Sequence, residues 1–276
     1  MDVRLYDAAT DFGSVARWVY RRDPVLFTCE LTALRALRGS DGVLLSVVDG
    51  ACAVGAAVQA GDAALLVSGL PPEMAKEAAA ELSTGCAALP GVCGTPSTAT
   101  AFVDAWSDAV DVQTVETIGR TLYRLDDLTL PKGVPGVGRL AAAIDAELIV
   151  DWLDGFFAEA FGAASDRDAR RSYLGEIIAD GGDFVLWSVD GAPVSVARVH
   201  APAAGMSRIG PVYTPPEERG RGFGAAATAA AVQRARRRGA RHVVLFADVA
   251  NPGANRIYRR LGFVPVAENV EYAFTA

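Results

Sequence analysis

Residues 209–225, IGPVYTPPEERGRGFGA, join an apolar strand to a helix through a turn rich in glycine and arginine. Consecutive backbone N–H groups at such a turn point into one space, and the helix dipole adds partial positive charge there. Glycine also lets the backbone approach a ligand closely, because it has no Cβ atom. The segment therefore predicts a phosphate or pyrophosphate site. The pattern GxxxxGK[ST] is absent, which disfavours a P-loop NTPase.

A second informative segment, DVANPGANRIYRRLGF, spans residues 248–263. An apolar strand ends there, Asn251 precedes a short helix, and Asn255 and Tyr258 share one face of that helix because they are three residues apart. Taken alone, Tyr258 is also compatible with packing, and Asn251 with a helix N-cap. Each segment alone is only weakly diagnostic, and the order of the two along the chain makes them informative.

Together, the two segments resemble the GCN5-related N-acetyltransferase (GNAT) superfamily over roughly residues 138–276. The acyl-CoA loop of that family has the pattern [RQ]-x-x-G-x-[GA], and residues 219–224 of this chain are RGRGFG. A later family pattern, N-x-x-A-x-x-x-Y followed by Gly-Phe, matches residues 251–258 and 262–263. The preceding strand and Pro-Pro-Glu turn make the resemblance specific.

The resemblance implies an acetyl-CoA co-substrate and no metal. The strand around Val212 would pair with the pantetheine arm, and the glycine-rich loop would hold the pyrophosphate. An amine would attack the thioester directly, a backbone N–H near Val212 would stabilise the oxyanion, and Tyr258 would protonate the departing thiolate as general acid. The implied donor-binding residues are Val212, Tyr213, Thr214, Arg219, Gly220, Arg221, Gly222, Phe223, Gly224, Ala225, Asn251, Asn255 and Tyr258.

The general base is left open by the sequence. The strand 207–213 contains no carboxylate, although family members often carry their base on a central strand or use an ordered water. Asp248, at the end of the following strand, is the nearest candidate in sequence. Three further candidates are Asp168, Glu176 and His200, each of which is also compatible with a surface or turn position.

Hydrophobic periodicity and turn signals divide the second half into alternating helices and strands. Aspartate–glycine at 190–191 predicts a tight turn between two strands, and Pro215–Pro216 ends a third. The predicted helices are 147–161, 168–179, 222–238 and 252–261, and the predicted strands are 184–189, 194–199, 207–213, 242–246 and 263–274, the last as a strand or hairpin.

The first half repeats parts of this plan. Residues 44–60, LLSVVDGACAVGAAVQA, align with residues 185–201, VLWSVDGAPVSVARVHA, and Pro-Pro-Glu at 71–73 parallels Pro-Pro-Glu at 215–217. We therefore predict an α/β (α+β) chain of two GNAT-like domains, each a mixed, mostly antiparallel sheet flanked by helices. Residues 74–80, MAKEAAA, lack the loop glycines and arginine, so the first domain is expected to have lost acyl-CoA binding. The predicted boundaries are 1–130, a linker at 131–138, and 139–276.

Composition limits the remaining possibilities. The chain has 276 residues and a net charge of −7, which argues against a general nucleic-acid binder. Its cysteines, Cys29, Cys52, Cys86 and Cys93, form no CxxC pair, which favours free thiols in a reducing compartment over a zinc site. The N-terminus lacks a signal-peptide pattern, and no apolar run is long enough to span a membrane. We therefore expect a soluble cytoplasmic protein.

These features predict an N-acetyltransferase that moves an acetyl group from acetyl-CoA to a primary amine of a small molecule or protein. Two alternatives stay open: a non-catalytic module that binds or senses acyl-CoA, and an enzyme similar to the mycothiol synthases, tandem GNAT proteins that acetylate an amino-sugar conjugate. Neither nucleic acid nor membrane is an expected partner. The acceptor, the acyl-chain preference and the oligomeric state are not determined by the sequence.

Overall fold

The structure, a computed structural model, describes residues 1–37, 42–85 and 89–275. Cys86 lies outside the described residues. The strands are β1 (Asp2–Leu5), β2 (Leu44–Asp49), β3 (Cys52–Val58), β4 (Leu65–Leu66), β5 (Gly91–Gly94), β6 (Gln113–Leu125), β7 (Val137–Leu140), β8 (Asp183–Val189), β9 (Ala192–Val199), β10 (Met206–Tyr213), β11 (His242–Asp248) and β12 (Phe263–Thr275). The α-helices are α1 (Ala9–Tyr20), α2 (Thr28–Ala36), α3 (Ala75–Gly85), α4 (Pro96–Val110), α5 (Ala146–Phe161), α6 (Arg167–Ala179), α7 (Phe223–Arg237) and α8 (Pro252–Arg260).

The chain forms two compact units, and each is discontinuous in sequence. Unit 1 contains residues 1–122, 247–251 and 265–276. Unit 2 contains residues 123–246 and 252–264. These ranges divide the chain differently from the predicted boundaries of 1–130, 131–138 and 139–276, which stay a prediction.

Unit 1 is built on strands in the order β1-β2-β3-β4-β5-β12. Neighbouring strands are antiparallel except β4 and β5, which run parallel through the pairs Leu65–Val92 and Leu66–Cys93. Helices α3 and α4 cover an apolar core in which Phe102 and Trp106 are almost completely buried. Burial of such large aromatic side chains supplies much of the stability of a small domain.

Unit 2 repeats that arrangement with strands in the order β11-β10-β9-β8-β7. Pairing is antiparallel between β7 and β8, β8 and β9, and β9 and β10, and it is parallel between β10 and β11. Helices α5 and α6 bury a core on one face that includes Trp152, Leu153 and Ile177. On the exposed side of these two helices, Glu147 of α5 is ion-paired with Arg167 and Arg171 of α6.

The element order confirms the predicted duplication. In each repeat an edge strand is followed by two helices, three strands, a short 3-10 turn, a helix, a strand, a helix and a long strand. The mixed, mostly antiparallel sheet flanked by helices is also confirmed, and the predicted helices and strands of the second half are present with small differences at their ends. The last predicted element forms one strand, β12, rather than a hairpin.

None of the helices in the described parts of the chain has the length and apolar character needed to cross a membrane.

Candidate functional site

The centre of unit 2 contains an interrupted strand. The parallel pairing of β10 with β11 ends at Ile209 and Leu245, although β10 continues to Tyr213. On its other side, β10 pairs with β9 at Ile209 and again from Val212, so its register shifts between these residues. Such a bulge redirects the backbone and leaves unpaired polar groups. The segment 210–213 therefore offers a free strand edge toward β11 within the described residues.

The glycine-rich turn leads from this strand into α7. A 3-10 turn, Pro216–Glu218, is followed by residues 219–222, and α7 begins at Phe223. Gly220 and Gly222 have φ values of +79° and +85°, which favour glycine. A Cβ atom at Gly220 would meet no atom within 4 Å, so the space in front of the turn is open.

The first turn of α7 has the properties of an anion site. Its N-cap residue, Gly222, provides no side-chain hydrogen bond to the free N–H groups of the helix. Those N–H groups therefore need another acceptor, and the dipole of this 15-residue helix favours a negative one. Phe223 is buried, so its contribution to such a site is its backbone amide. Gly224 and Ala225 extend the same turn.

Both arginines of the loop are held by carboxylates. Nη2 of Arg219 donates to the two carboxylate oxygens of Glu159 at 2.8 and 2.7 Å, and its Nε donates to the carbonyl oxygen of Thr214 at 2.9 Å. The Tyr213 hydroxyl donates to Glu159 as well. Arg221 is paired with Glu218. A carboxylate and a phosphate present their acceptor oxygens to a guanidinium in similar ways. The Glu159 carboxylate therefore accepts the hydrogen bonds of Arg219 that an anionic ligand could accept.

Tyr258 lies on α8, where its ring packs against Tyr123 and Phe263 with centroid distances of 6.4 and 6.1 Å. The side chain is half-buried. Burial raises the pKa of Tyr258 to about 12, so its phenol remains protonated over the ordinary pH range. A protonated phenol has the form required of a proton donor.

The two predicted asparagines lie in different compact units. Asn255, in unit 2, accepts a 2.7 Å hydrogen bond at Oδ1 from the hydroxyl of Tyr123. This contact fixes the orientation of its carboxamide. Asn251 belongs to the 247–251 segment of unit 1, where its backbone N–H donates to the carbonyl oxygen of Asp248.

The four candidate bases have different environments. The Asp248 carboxylate accepts the backbone N–H of Ala250, and the Asp168 carboxylate pairs with Arg171. Glu176 is exposed on α6. His200 contacts the β10 bulge, because its Nε2 lies 3.1 Å from the carbonyl oxygen of Gly210.

Sequence reasoning did not predict the contacts of three side chains around this centre: Glu159, Tyr123 and Arg198. The first two act through contacts between elements far apart in the chain, for which the sequence carries no local signal. Arg198 did carry one. It stands in the apolar strand VSVARVH at a position where a buried side chain is expected, and it is 8% exposed.

Comparison with known families gives a match to the second half of the chain. Residues 146–263 match the acetyltransferase (GNAT) family. This range contains β10, the glycine-rich turn, α7 and α8.

A protein described as mycothiol acetyltransferase from Thermobispora bispora is 44% identical to this chain over 79 residues. The match covers 27% of this chain and 27% of that protein. A second relative, an uncharacterized N-acetyltransferase of Methanocaldococcus jannaschii, is 41% identical over 58 residues. The chain thus spans about a quarter of the length of each of these relatives.

Solved structures resemble the whole chain in fold. A GCN5-related N-acetyltransferase from Kribbella flavida superposes with a TM-score of 0.62 at 23% identity, covering 95% of this chain and 96% of that one. A tandem GNAT protein from the clavulanic acid biosynthesis pathway superposes with a TM-score of 0.60 at 16% identity, covering 98% and 97%. At such identities the similarity shows the fold.

Proposed function

We propose that this chain, which belongs to the GNAT superfamily through the domain at residues 146–263, transfers an acetyl group from acetyl-CoA to a primary amine. The observation that carries the proposal is the uncapped N-terminus of α7 beside the free edge of β10. An anion at the helix and an extended arm along the strand are the two parts that this arrangement can bind.

Each part of the donor has a matching group. The diphosphate fits the free N–H groups of α7, with Arg219 and Arg221 close by in the turn, and an amide-containing arm fits the backbone edge at 212–214. Gly220 leaves room for the phosphate oxygens because nothing lies within 4 Å of the position of its missing Cβ.

The transfer requires one new bond and one broken bond. The amine nitrogen bonds to the acyl carbon while the carbon–sulfur bond breaks, and the amine gives up one proton. Tyr258 is proposed to donate its phenol proton to the departing sulfur, and the proton released by the amine passes through solvent to the resulting tyrosinate, which restores the phenol. Its raised pKa supports this role, since the donor must hold its proton until the thiolate forms. Binding both reactants in one place lowers the barrier further.

Acetylation of an amino-sugar conjugate is the second candidate, and the segment shared with mycothiol acetyltransferase favours it. A module that binds acyl-CoA without turnover is the alternative from another class. The two enzymatic candidates share the donor site and differ only in the acceptor, so donor binding is tested first.

The test is thermal unfolding with and without excess acetyl-CoA. A ligand at ~100 times its Kd stabilises the native state by ~2.7 kcal/mol, which corresponds to several degrees at ~2–4 °C per kcal/mol. We expect this shift in the wild type and its loss in Gly222→Asp and Arg219→Ala. Arg237→Ala is the matched control, because it removes a positive charge from the opposite end of α7.

Release of free CoA in the presence of a panel of primary amines then separates an enzyme from a sensor. A thermal shift with amine-dependent CoA release supports the transferase. A shift without release for any amine favours the binding module. No shift in a folded protein would contradict a working donor site in unit 2.

A further inference from the structure

Unit 2 contains a buried arginine without an ion pair. Arg198, on β9, is 8% exposed, and it forms no salt bridge within the part of the chain that the structure describes. Its Nη1 donates a 2.6 Å hydrogen bond to the hydroxyl of Tyr173, and its buried Nε has no hydrogen-bond partner among the described residues. Arginine is rarely buried unless it is paired, because an uncompensated charge is costly to remove from water. An anionic partner is therefore expected.

His200 stands beside Arg198 on the same face of the strand, since the two are two residues apart. Its Nε2 is 3.1 Å from the carbonyl oxygen of Gly210. A carbonyl oxygen only accepts, so Nε2 carries the proton and Nδ1 holds a lone pair. That Nδ1 atom is buried without a partner. Burial, Arg208 and Arg198 together hold the pKa of His200 well below its usual range, which keeps the ring neutral.

The pair lies across from the β10 bulge. Val199 pairs with Ile209 and Ala197 pairs with Val212, which places Arg198 opposite the two bulged residues, Gly210 and Pro211. His200 contacts one of these two residues directly. The two unsatisfied groups thus border the segment proposed above for acetyl transfer.

The unpaired atoms of Arg198 and His200 require different partners, one an acceptor and the other a donor. Among the described residues, no carboxylate forms an ion pair with Arg198, although the charge of Asp180 acts on it from a distance, and Nδ1 of His200 has no N–H donor. An amino acid carries a carboxylate and an amine on a single carbon. The carboxylate can pair with Arg198 while the amine donates an N–H to His200. A free amine alone would leave Arg198 unpaired, and a carboxylic acid alone would leave His200 unpaired.

We propose that Arg198 and His200 bind the acceptor, and that the acceptor is one of the common α-amino acids. This inference rests on the proposed acetyl transfer and names its substrate class. The carboxylate pairs with Arg198, and the amine donates an N–H to Nδ1 of His200. Burial and the positive charge of Arg208 disfavour an ammonium ion beside His200, so the amine is held in its neutral, nucleophilic form.

Tyr173 covers this site. Its ring centroid is 5.4 Å from Cζ of Arg198, its hydroxyl takes one guanidinium hydrogen bond, and the residue is half-buried on α6. A carboxylate that reaches Arg198 joins or replaces this hydroxyl. Tyr173→Phe keeps the cover and removes the competing hydroxyl.

The experiment uses the full chain with acetyl-CoA and the twenty common L-amino acids. Each active amino acid is compared with its carboxamide, which keeps the size but loses the negative charge, and with the amine that lacks the carboxyl group. We expect at least one amino acid to drive CoA release with a kcat/KM about 100-fold above that of its carboxamide. Equal rates with both, or acceleration by none of the twenty, would overturn the proposal.

Arg198→Met tests the assignment of the carboxylate site. We expect this variant to lose the preference for the amino acid, chiefly through KM, and to keep the acetyl-CoA thermal shift. Its Tm without ligand should be unchanged or higher, because a buried unpaired charge is removed. Arg170→Met is the matched control. Arg170 pairs with Asp154 and packs on Phe157, so its loss should lower Tm and leave the preference unchanged.

The outcomes separate the two proposals. If acetyl-CoA does not raise the Tm of the wild type, the donor site is contradicted, and with it the proposed function. A normal shift with turnover of simple amines, or with a carboxylate preference that survives Arg198→Met, contradicts the acceptor assignment alone. A lower Tm in Arg198→Met with unchanged preference would assign Arg198 to structural support.

Discussion

The two repeats share one order of elements, and units 1 and 2 differ where the fourth strand of the repeat meets the next helix. In unit 1, β4 has two residues, and the 3-10 turn Pro72–Met74 passes directly into α3 at Ala75. In unit 2, β10 has eight residues, and four more, Arg219–Gly222, separate the 3-10 turn from α7. The same Pro-Pro-Glu sequence starts both turns. The extra residues create the glycine-rich loop.

The space beside the fourth strand is also filled in unit 1. The backbone N–H of Val67 continues the pairing with the carbonyl oxygen of Cys93 at 2.9 Å, beyond the end of β4. A Cβ atom on Gly69 would lie 2.5 Å from the ring of Tyr20 and 2.6 Å from the carbonyl oxygen of Ala56. At Gly220 of unit 2 the same addition meets open space. Gly69 precedes the shared Pro-Pro-Glu sequence and Gly220 follows it, so unit 1 is closely packed before the 3-10 turn and unit 2 is open after it.

The helices after the fifth strand differ at one matching position. Each begins with proline, Pro96 in α4 and Pro252 in α8, and six residues later the side chains are Phe102 and Tyr258. Phe102 is fully buried and stacks on Trp106, while Tyr258 keeps a hydroxyl. Unit 1 has a packing residue where unit 2 has the proposed proton donor.

Tyr258→Phe gives unit 2 the residue found in unit 1 and carries the largest expected effect. We expect kcat for CoA release to fall at least ~100-fold, because the departing thiolate loses its proton donor. The acetyl-CoA thermal shift should stay at the wild-type value. In the wild type, ionisation of Tyr258 should reduce kcat only as the pH approaches its pKa of about 12.

The matched control is Tyr272→Phe, which removes a hydroxyl from unit 1, where it contacts Thr100. This variant should keep full activity. Equal loss of activity in both variants, or a fully active Tyr258→Phe, would show that the hydroxyl of Tyr258 is not the proton donor.

Gly69→Ala and Gly220→Ala compare the closely packed residue before the turn of unit 1 with the open residue after the turn of unit 2. We expect Gly69→Ala to lower the free energy of unfolding by about 2–3 kcal/mol, because the new methyl group overlaps Tyr20 and the Ala56 backbone. Gly220→Ala should cost about 1 kcal/mol through its positive φ alone. Chemical denaturation measures both. A larger loss at Gly220 than at Gly69 would contradict the contrast between the two turns.

Glu159→Gln has the smallest expected effect and sharpens the role of the loop arginines. Glu159 holds Arg219 as a ligand phosphate would, so its neutralisation should lower the Kd for acetyl-CoA about 3-fold at low salt. The gain should shrink at higher ionic strength, since both side chains are solvent-exposed. Isothermal titration measures the change.

Glu147→Gln is the control for this measurement, because it neutralises another exposed acid of α5 whose partners, Arg167 and Arg171, lie on α6. It should leave the Kd unchanged. Weaker donor binding in Glu159→Gln would mean that Glu159 holds Arg219 in its binding orientation rather than competing for it.

Much of unit 2 could be predicted because its signals are local. Apolar periodicity gave the helix at 147–161, Asp190–Gly191 gave the turn between β8 and β9, and the run of glycines gave the start of α7. Each depends on the backbone preferences of neighbouring residues. The same reasoning did not show that residues 265–276 join unit 1, because strand pairing between distant segments leaves no mark on a short stretch.

At the candidate site, too, local features could be predicted from the sequence and contacts between distant elements could not. Arg219 and Tyr258 could be named from motifs, since their spacing reflects one turn and one helix. The carboxylate on Arg219 and the hydroxyl on Arg198 come from α5 and α6, which are distant in sequence. Such contacts arise from packing between elements, and a motif contains no information on them.

The sequence by itself determined the duplicated order of helices and strands, the glycine-rich turn and the family to which the second half belongs, because these follow from local backbone preferences and short spacings. Only the tertiary structure decided which charges are satisfied. It pairs Arg219 with Glu159 and leaves Arg198 buried without an ion pair to any carboxylate of the described residues. The reason is physical: the cost of a buried charge depends on what surrounds it in space, and those neighbours are brought together only when the chain folds.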